Sequence, residues 1–114
     1  MRQWNVNPEY LCTQHLLGEH LEQHMFMGCV KKGTSLKGYI DKGLVEIHNI
    51  TNRHNELVIE MLKRGYNHKS PIEEIVLCKK IGCVNSEYNI EELKRRCPKC
   101  RERIWKVSST AQNA

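Results

Sequence analysis

The sequence predicts an all-α protein, a single domain of three helices joined by long connections. Residues 8–29 and 89–104 repeat apolar side chains at helical spacing, and residues 51–65 carry helix signals at both ends. A chain of 114 residues fits one domain with a modest core. We assign residues 1–107 to this domain, and we expect the small, polar residues 108–114 to form a disordered tail.

The first two helices have recognisable ends. Asn7 and Pro8 suit the N-cap and first turn of the first helix. Thr51 or Asn52 can cap the second helix, and Gly65 follows its last turn as a C-terminal signal.

The remaining segments are less regular. Residues 31–43 are rich in Lys and Gly and are predicted to be a loop, and Val45, Ile47 and Ile50 favour a short extended piece. Pro98 interrupts the third helical pattern, so that helix either kinks or restarts there.

The composition points to a basic protein without a membrane segment. Its 18 Lys and Arg residues against 13 Asp and Glu residues give a net charge of +5, which suits nucleic acid but also serves plain solubility. No stretch has the length of a transmembrane helix, and the polar start does not fit a signal peptide. We therefore expect a cytoplasmic protein with reduced cysteines.

The N-terminus places a nucleophile near an acidic helix. An α-amine ordinarily has a pKa near 7.7–8.0, so a useful fraction is neutral at physiological pH. Such an amine can attack the anomeric carbon of a nucleotide, displace the base and leave an imine. A carboxylate can then take a sugar proton and drive β-elimination of the 3′ phosphate. Glu22 is the first candidate and Glu19 the second, although either could be a merely solvated side chain.

Several short stretches occur together in one order. They are Met1-Arg2, Gln14-His15-Leu16, the acidic Glu19 and Glu22, and Glu60-Met61-Leu62-Lys63-Arg64-Gly65-Tyr66-Asn67. In this combination, residues 1–65 resemble the pyrimidine-dimer DNA glycosylase family. The resemblance implies an all-α fold with the N-terminal segment packed among three helices. It also implies a bifunctional glycosylase and abasic-site lyase that acts on UV-damaged DNA.

The resemblance further implies roles for single residues. The α-amine of Met1 is the nucleophile and Glu22 the catalytic carboxylate, while Arg2 contacts a DNA phosphate and Gln14 and His15 line the site. Because Arg2 is too large for an aminopeptidase that needs a small second residue, we expect Met1 to be retained. Catalysis is expected to require no cofactor.

The DNA-contacting residues that the resemblance implies are altered here. Leu21 and Met25 stand where arginines are expected, which leaves open a relative with altered lesion specificity or lost activity. A basic run over residues 94–103 offers phosphate contacts or is a solvated helix face. The other candidates for phosphate contact are Lys31, Lys32, Arg95 and Arg96. The expected partner is double-stranded DNA with UV lesions or abasic sites, bound by a monomer that is DNA-associated in the cytoplasm.

The cysteines support a rival hypothesis, a small zinc-stabilised nucleic-acid-binding protein without catalysis. Cys78, Cys83, Cys97 and Cys100 form a four-thiol set that resembles a zinc ribbon. Alternatively, Cys97 and Cys100 belong to an apolar helical stripe and pack as small hydrophobic residues.

The other cysteines and the histidines are assigned less specific roles. Cys12 and Cys29 are predicted to be core residues, as is His54. His20 and His24 are spaced for joint metal ligation but lack a matching third ligand.

Overall fold

A computed structural model describes residues 1–74 and 79–112. Within these ranges the chain forms α-helices and 3-10 turns without a β-strand, which confirms the all-α prediction. The helices are α1 (Thr13–Lys32), α2 (Lys37–Asp41), α3 (Ile50–Lys63), α4 (Ser86–Arg96) and α5 (Pro98–Gln112), and the 3-10 turns are Pro8–Tyr10 and Ile47–Asn49. None of the described helices is long and apolar enough to span a bilayer.

The first helix begins later than predicted. Asn7 does act as a cap, because its side chain accepts a hydrogen bond from the Glu9 amide at 3.0 Å. It caps a 3-10 turn, however, and α1 starts after this turn with Cys12 as its N-cap residue. The helix ends at Gly33, whose φ of 72° places it in the left-handed region that favours glycine.

The segment between α1 and α3 also differs from the prediction. The short helix α2 lies within the predicted loop, and a 3-10 turn replaces the predicted extended piece. Val45, Ile47 and Ile50 are nevertheless all buried, in one cluster with Phe26 and Met27 of α1. The prediction of an extended piece was wrong because three apolar side chains can meet one core from a turn as well as from a strand.

Pro98 ends one helix and begins another. Cys97 has extended backbone angles, with φ at −130° and ψ at 106°, and α5 then restarts with Pro98 as its first residue. Proline suits this position because it has no amide hydrogen to leave unpaired. Of the two alternatives, the restart is therefore confirmed. Helix α5 extends to Gln112 and so includes part of the segment assigned to the polar tail.

Two apolar clusters hold the helices together. The first joins the N-terminal segment, the start of α1, α3 and the α4–α5 pair around Leu11, Leu16, Leu57 and Leu93, none of which is exposed. The second lies at the C-terminal half of α1 and contacts the segment around Val45. Helices α1 and α3 form the main helix–helix contact.

The N-terminal segment passes through the interior, as the family resemblance implies. The amide of Gln3 donates to the Leu44 carbonyl at 2.7 Å, and its fully buried side chain bonds to Gln23 and to the backbone of Glu46. The Asn89 side-chain amide donates to the Trp4 carbonyl at 2.8 Å. These bonds connect the first residues to α1, to the segment before α3, and to α4, so the position of the N-terminus is fixed from three sides.

Candidate active site

A cleft of about 370 Å³ lies between the N-terminal residues and one face of α1. Its lining consists of Arg2, Trp4, Gln14, His15, Gly18, Glu19 and Glu22. The α1 members follow one another at three- and four-residue steps, which places them on one side of the helix. The sequence-predicted residues Arg2, Gln14, His15 and Glu22 are therefore brought together.

The carboxylate of Glu22 lies directly at the N-terminus. Its Oε2 accepts a hydrogen bond from the Arg2 backbone amide at 3.1 Å. Only the α-carbon and carbonyl carbon of Met1 separate this amide from the terminal amine. Met1 itself is half-buried, with its side chain packed against the second apolar cluster. This hydrogen bond thus holds the Glu22 carboxylate beside the short backbone segment that ends in the Met1 amine.

The Arg2 side chain is oriented by three neighbours. Its guanidinium carbon lies 3.8 Å from the centre of the Trp4 ring, and one terminal nitrogen donates to Asn89 Oδ1 at 2.7 Å. Its Nε is buried and meets no hydrogen-bond partner in the described ranges. Burial, and next the nearby charge of Arg96, lower the pKa of Arg2. An anion entering the cleft would relieve both the repulsion and the unpartnered donor.

Glu19 has a different environment from Glu22. Its two carboxylate oxygens accept hydrogen bonds from Arg53 at 2.5 and 2.8 Å, and both side chains are almost completely buried. A further nitrogen of Arg53 donates to the Val6 carbonyl at 2.7 Å. Glu19 therefore anchors the N-terminal segment and α3 to α1, and its oxygens are already occupied.

His15 and Gln14 begin the α1 face of the cleft. Gln14 is exposed, whereas His15 is half-buried with its ring edge against Trp4, at a centroid distance of 5.8 Å. Burial lowers the pKa of His15, although the charge of Glu22 opposes this effect. A neutral imidazole at this position can donate from one ring nitrogen and accept with the other.

A basic surface continues from Arg2 into a second cleft. Arg2, Lys42 and Arg96 line it together with Tyr88 and Asn89. Arg96 also pairs with Glu92 at 2.7 Å, and this leaves its side chain half-exposed. Of the predicted DNA-contact residues, Arg96 thus lies next to the catalytic candidates.

The other predicted basic contacts lie outside both clefts. Lys31 and Lys32 are exposed in the last turn of α1, and Lys31 pairs with Glu73 at 2.6 Å. Nine residues along the helix place Lys31 roughly 13 Å from Glu22 along the helix axis. Arg95 is exposed and pairs with Glu92 at 2.8 Å.

The positions of the missing arginines form an apolar surface. Leu17, Leu21 and Met25 follow one another at four-residue steps along α1 and are between 41% and 59% exposed. The helix therefore presents aliphatic side chains beside Glu22, and two of them, Leu21 and Met25, stand where the family resemblance implies arginine.

The structure describes three members of the predicted four-thiol set, and the set as a whole stays a prediction. Cys78 lies outside the described residues, and Cys83 is exposed and belongs to no group of metal-ligating side chains in the described ranges. Cys97 and Cys100 instead meet Cys12 and His15. Cys12 and His54 are buried as predicted, but each belongs to a cluster of potential metal ligands, and His54 lies with His20, His24 and His68.

Sequence reasoning missed several residues of the site. Asn89 positions Arg2 and Trp4, and Lys42 extends the basic surface. Neither has a sequence signal, because both approach the N-terminus through the tertiary fold. Trp4 does have a sequence signal, because a large aromatic side chain in an otherwise polar segment is expected to pack against a buried neighbour.

Comparison with known proteins gives a single result. The family model described as pyrimidine dimer DNA glycosylase matches residues 1–74, about two thirds of the chain. No curated protein and no solved structure matches the chain. The matched residues include the complete N-terminal segment, α1 and α3, and therefore most of the cleft. The chain belongs to the pyrimidine dimer DNA glycosylase family.

Proposed function

We propose that this protein is a bifunctional glycosylase and abasic-site lyase that cuts DNA at UV-induced pyrimidine dimers. The observation that carries the proposal is the 3.1 Å hydrogen bond from the Arg2 amide to Glu22 Oε2. It holds a carboxylate next to the terminal amine of Met1 at the edge of an open cleft. The proposed chemistry uses this amine and carboxylate and requires no cofactor.

The reaction begins with the neutral amine of Met1. Its nitrogen forms a bond to C1′ of the damaged nucleotide, the glycosidic bond breaks, and the base leaves with a proton. The released base stays joined to its neighbour through the photodimer. Opening of the sugar ring at C1′–O4′ then yields a protonated imine, which the adjacent Glu22 carboxylate stabilises.

Strand cleavage follows from the same intermediate. The imine acidifies the C2′ proton, and Glu22 removes it as a general base. The electron pair moves toward C3′, and the 3′ phosphate leaves by β-elimination. Water then hydrolyses the imine and regenerates the amine. An abasic site enters the sequence at the imine step, because its sugar aldehyde condenses with the amine and releases water.

The basic surface supports a DNA substrate. Arg2 has a buried, unpartnered Nε, and Lys42 and Arg96 line the adjoining cleft. Positive side chains that line one cleft suit the phosphates of a strand that leads into the site. Lys31, Lys32 and Arg95 would contact only more distant DNA. The damaged nucleotide must leave the base stack before the Met1 amine can reach its C1′ atom, as it does in other glycosylases.

The apolar surface of Leu17, Leu21 and Met25 bears on lesion choice. Aliphatic side chains cannot hold phosphates, but they can press against bases that have lost their stacking partners. We infer that a distorted duplex, with the dimer already partly unstacked, is the preferred substrate. A monomer presents both clefts to a single duplex, and a DNA-associated cytoplasmic location follows from this substrate.

A defined-lesion nicking assay tests the proposal. Duplexes that carry a single cyclobutane thymine dimer or a single abasic site are incubated with tag-free protein in EDTA, which removes the Mg²⁺ that contaminating nucleases need. We expect cutting at both lesions by the natural sequence. Glu22→Gln should bind the duplex but cut it at least 100-fold more slowly, since general bases contribute about 10²–10⁴-fold.

The controls separate the alternatives. Glu74→Gln changes an exposed carboxylate within the matched region and should leave cutting unchanged. Binding without cutting by the natural sequence would favour the non-enzymatic nucleic-acid-binding protein. Cutting at abasic sites but not at dimers would favour a relative with another lesion.

A further inference from the structure

Three thiols and one imidazole meet beside the active cleft. Cys12 precedes α1, His15 lies in its first turn, and Cys97 and Cys100 flank the start of α5. Their ligand atoms all lie within 4.8 Å of one another. The Cys12 sulfur is 3.2 Å from His15 Nδ1 and 3.8 Å from the Cys97 sulfur, and the Cys100 sulfur is 3.4 Å from the same Nδ1.

These separations match the edges of a zinc tetrahedron. Zinc binds sulfur at about 2.3 Å and imidazole nitrogen at about 2.0–2.1 Å. Tetrahedral angles then give sulfur–sulfur separations of about 3.8 Å and sulfur–nitrogen separations of about 3.5 Å. The three distances above agree with these values to within about 0.3 Å, whereas packed thiols in a core have no reason to converge on one point.

The surroundings of the sulfurs favour thiolates. The Cys12 amide donates to the Cys100 sulfur at 3.2 Å, and the Cys100 amide donates to the Cys97 sulfur at 3.4 Å. Such N–H donors commonly support metal-bound ligands.

We propose that Cys12, His15, Cys97 and Cys100 bind one zinc ion in a closed structural site. The ion would connect the α4–α5 junction, which lies outside the matched residues 1–74, to the first turn of the helix that carries Glu22. It would also bind His15 through Nδ1 and keep the proton on Nε2, which gives the cleft a fixed hydrogen-bond donor. Only this last consequence rests on the proposed function.

Metal analysis of protein made without a histidine tag tests the site. We expect one zinc ion for this group, its loss in Cys97→Ser and Cys100→Ser, and its retention in Cys83→Ser, which changes an exposed thiol outside the group. Cobalt in place of zinc should give the intense thiolate-to-cobalt absorption in the near ultraviolet, and Cys97→Ser should weaken it.

The outcome does not depend on activity or on every variant folding. If the serine variants fail to fold, the cobalt spectrum of the natural sequence decides, because only a thiolate site produces that absorption. Natural-sequence protein without this absorption, or with unchanged metal content in Cys97→Ser, would overturn the zinc site. Loss of DNA cutting with the zinc site intact would instead overturn the proposed function.

A different observation carries a second site, formed by four histidines. His20 and His24 lie on α1, His54 on α3, and His68 on the segment after α3, with their ligand atoms within 4.8 Å of one another. His20 Nε2 and His54 Nε2 are 3.1 Å apart. The Nε2 atoms of His24 and His68 are buried and have no hydrogen-bond partner within residues 1–74 and 79–112.

Imidazole nitrogens without hydrogen-bond partners destabilise the fold unless a ligand occupies the centre of the histidine cluster. A buried polar atom without a hydrogen bond destabilises the fold, and within the described residues this cluster contains two such atoms. Asn55 Oδ1 lies 2.9 Å from His54 Nδ1 and can accept its proton, while the Ser70 carbonyl oxygen lies 3.2 Å from His54 Nε2, a contact that a metal ion would replace.

The geometry points to a divalent transition-metal ion held by His20, His24, His54 and His68. A tetrahedral ion with bonds of about 2.0–2.1 Å separates its nitrogen ligands by about 3.3–3.4 Å, close to the 3.1 Å between His20 and His54. The ion would connect α1 with α3 and with the segment that follows it. Glu22 lies between two of its ligands along α1, so the ion would fix the part of the helix that carries this carboxylate.

Stoichiometry separates this site from the zinc–thiolate site. We expect His24→Ala and His68→Ala each to lose one metal equivalent per chain while keeping the thiolate-to-cobalt absorption. His48→Gln is the matched control, because glutamine keeps an acceptor for the Ile81 amide that His48 Nδ1 binds at 3.0 Å, and it should lose no metal. Unchanged metal content in both alanine variants would refute the histidine site.

Discussion

Replacement of Glu19 by glutamine distinguishes the two acidic candidates on α1. The change keeps the shape of the side chain but removes its charge, and within the described residues it leaves the buried Arg53 guanidinium only the exposed Glu56 carboxylate, 3.5 Å away, as a counterion. In the proposed mechanism Glu22 carries out the chemistry, whereas Glu19 stabilises the fold. Glu19→Gln should therefore unfold the protein more easily, whereas Glu22→Gln should mainly slow the reaction.

The magnitude follows from the burial of the pair. Removing one partner of a buried ion pair costs about 3–5 kcal/mol. A chain of 114 residues has a total free energy of unfolding of about 6–17 kcal/mol, so the loss is a large fraction. With an unfolding entropy of about 2.1 cal/mol/K per residue, it corresponds to a fall in Tm of roughly 12–20 °C.

Thermal unfolding followed by circular dichroism, at a constant zinc concentration, measures the effect. Within the described residues, Glu22 forms only the hydrogen bond to the Arg2 amide, so Glu22→Gln should shift Tm by no more than about 5 °C, the equivalent of about 1 kcal/mol. A Glu19→Gln protein with unchanged Tm that no longer cuts DNA would refute this assignment and make Glu19 the catalytic carboxylate.

Three further predictions concern the fold and the DNA surface. Gly82→Ala should lower Tm, because the added Cβ would lie 2.2 Å from a backbone oxygen at a φ of 92°, whereas Gly28→Ala meets no atom within 4 Å and should raise stability by about 0.5–1 kcal/mol. Arg96→Gln should weaken binding to abasic-site DNA and reduce the slope of log affinity against log salt concentration by about 1. Binding titrations at several salt concentrations measure this slope, and an unchanged slope would disprove the phosphate contact. Asn89→Ala should release the Arg2 side chain and raise KM for DNA more than it lowers kcat; a purely structural role would leave steady-state kinetics at 20 °C unchanged.

Local sequence signals predicted helix boundaries at positions where a single residue type determines the backbone conformation. Pro98 indicated a break in the third helical pattern, and the structure resolves the two alternatives as a restart. Gly65 marked the end of α3, where its φ of 82° satisfies the C-terminal turn. Such positions depend on the conformations that a single residue allows, and these are readable without the fold.

The contacts that make the site depend on distant parts of the chain. Cys12 and Cys97 are 85 residues apart, and nothing in the spacing of Cys97 and Cys100 indicates that their partners lie at the start of α1. The sequence offered Cys78 and Cys83 as nearer partners because metal-ligand spacing is judged along the chain. The family resemblance implied the roles of Met1 and Glu22 but assigned no role to Lys42, which lines the cleft beside Arg2.

The charged face of α4 and α5 illustrates the same limit. The basic run left open phosphate contacts or a solvated helix face, and Lys94, Arg95 and Arg96 each pair with a glutamate on α4. Arg96 alone of these three also lines the cleft beside Arg2. Charge density in the sequence indicates an affinity for DNA, but the helix orientation determines which charge lies near the reacting sugar.

The site of covalent attachment tests the central claim most directly. Tag-free protein is incubated with abasic-site DNA, the imine is reduced with borohydride, and the trapped protein is digested and mapped by mass spectrometry. We predict that the sugar remnant is attached to the α-nitrogen of Met1, and that one extra residue before Met1 abolishes trapping. Attachment to an internal lysine such as Lys42, or trapping that persists after N-terminal extension, would contradict the mechanism.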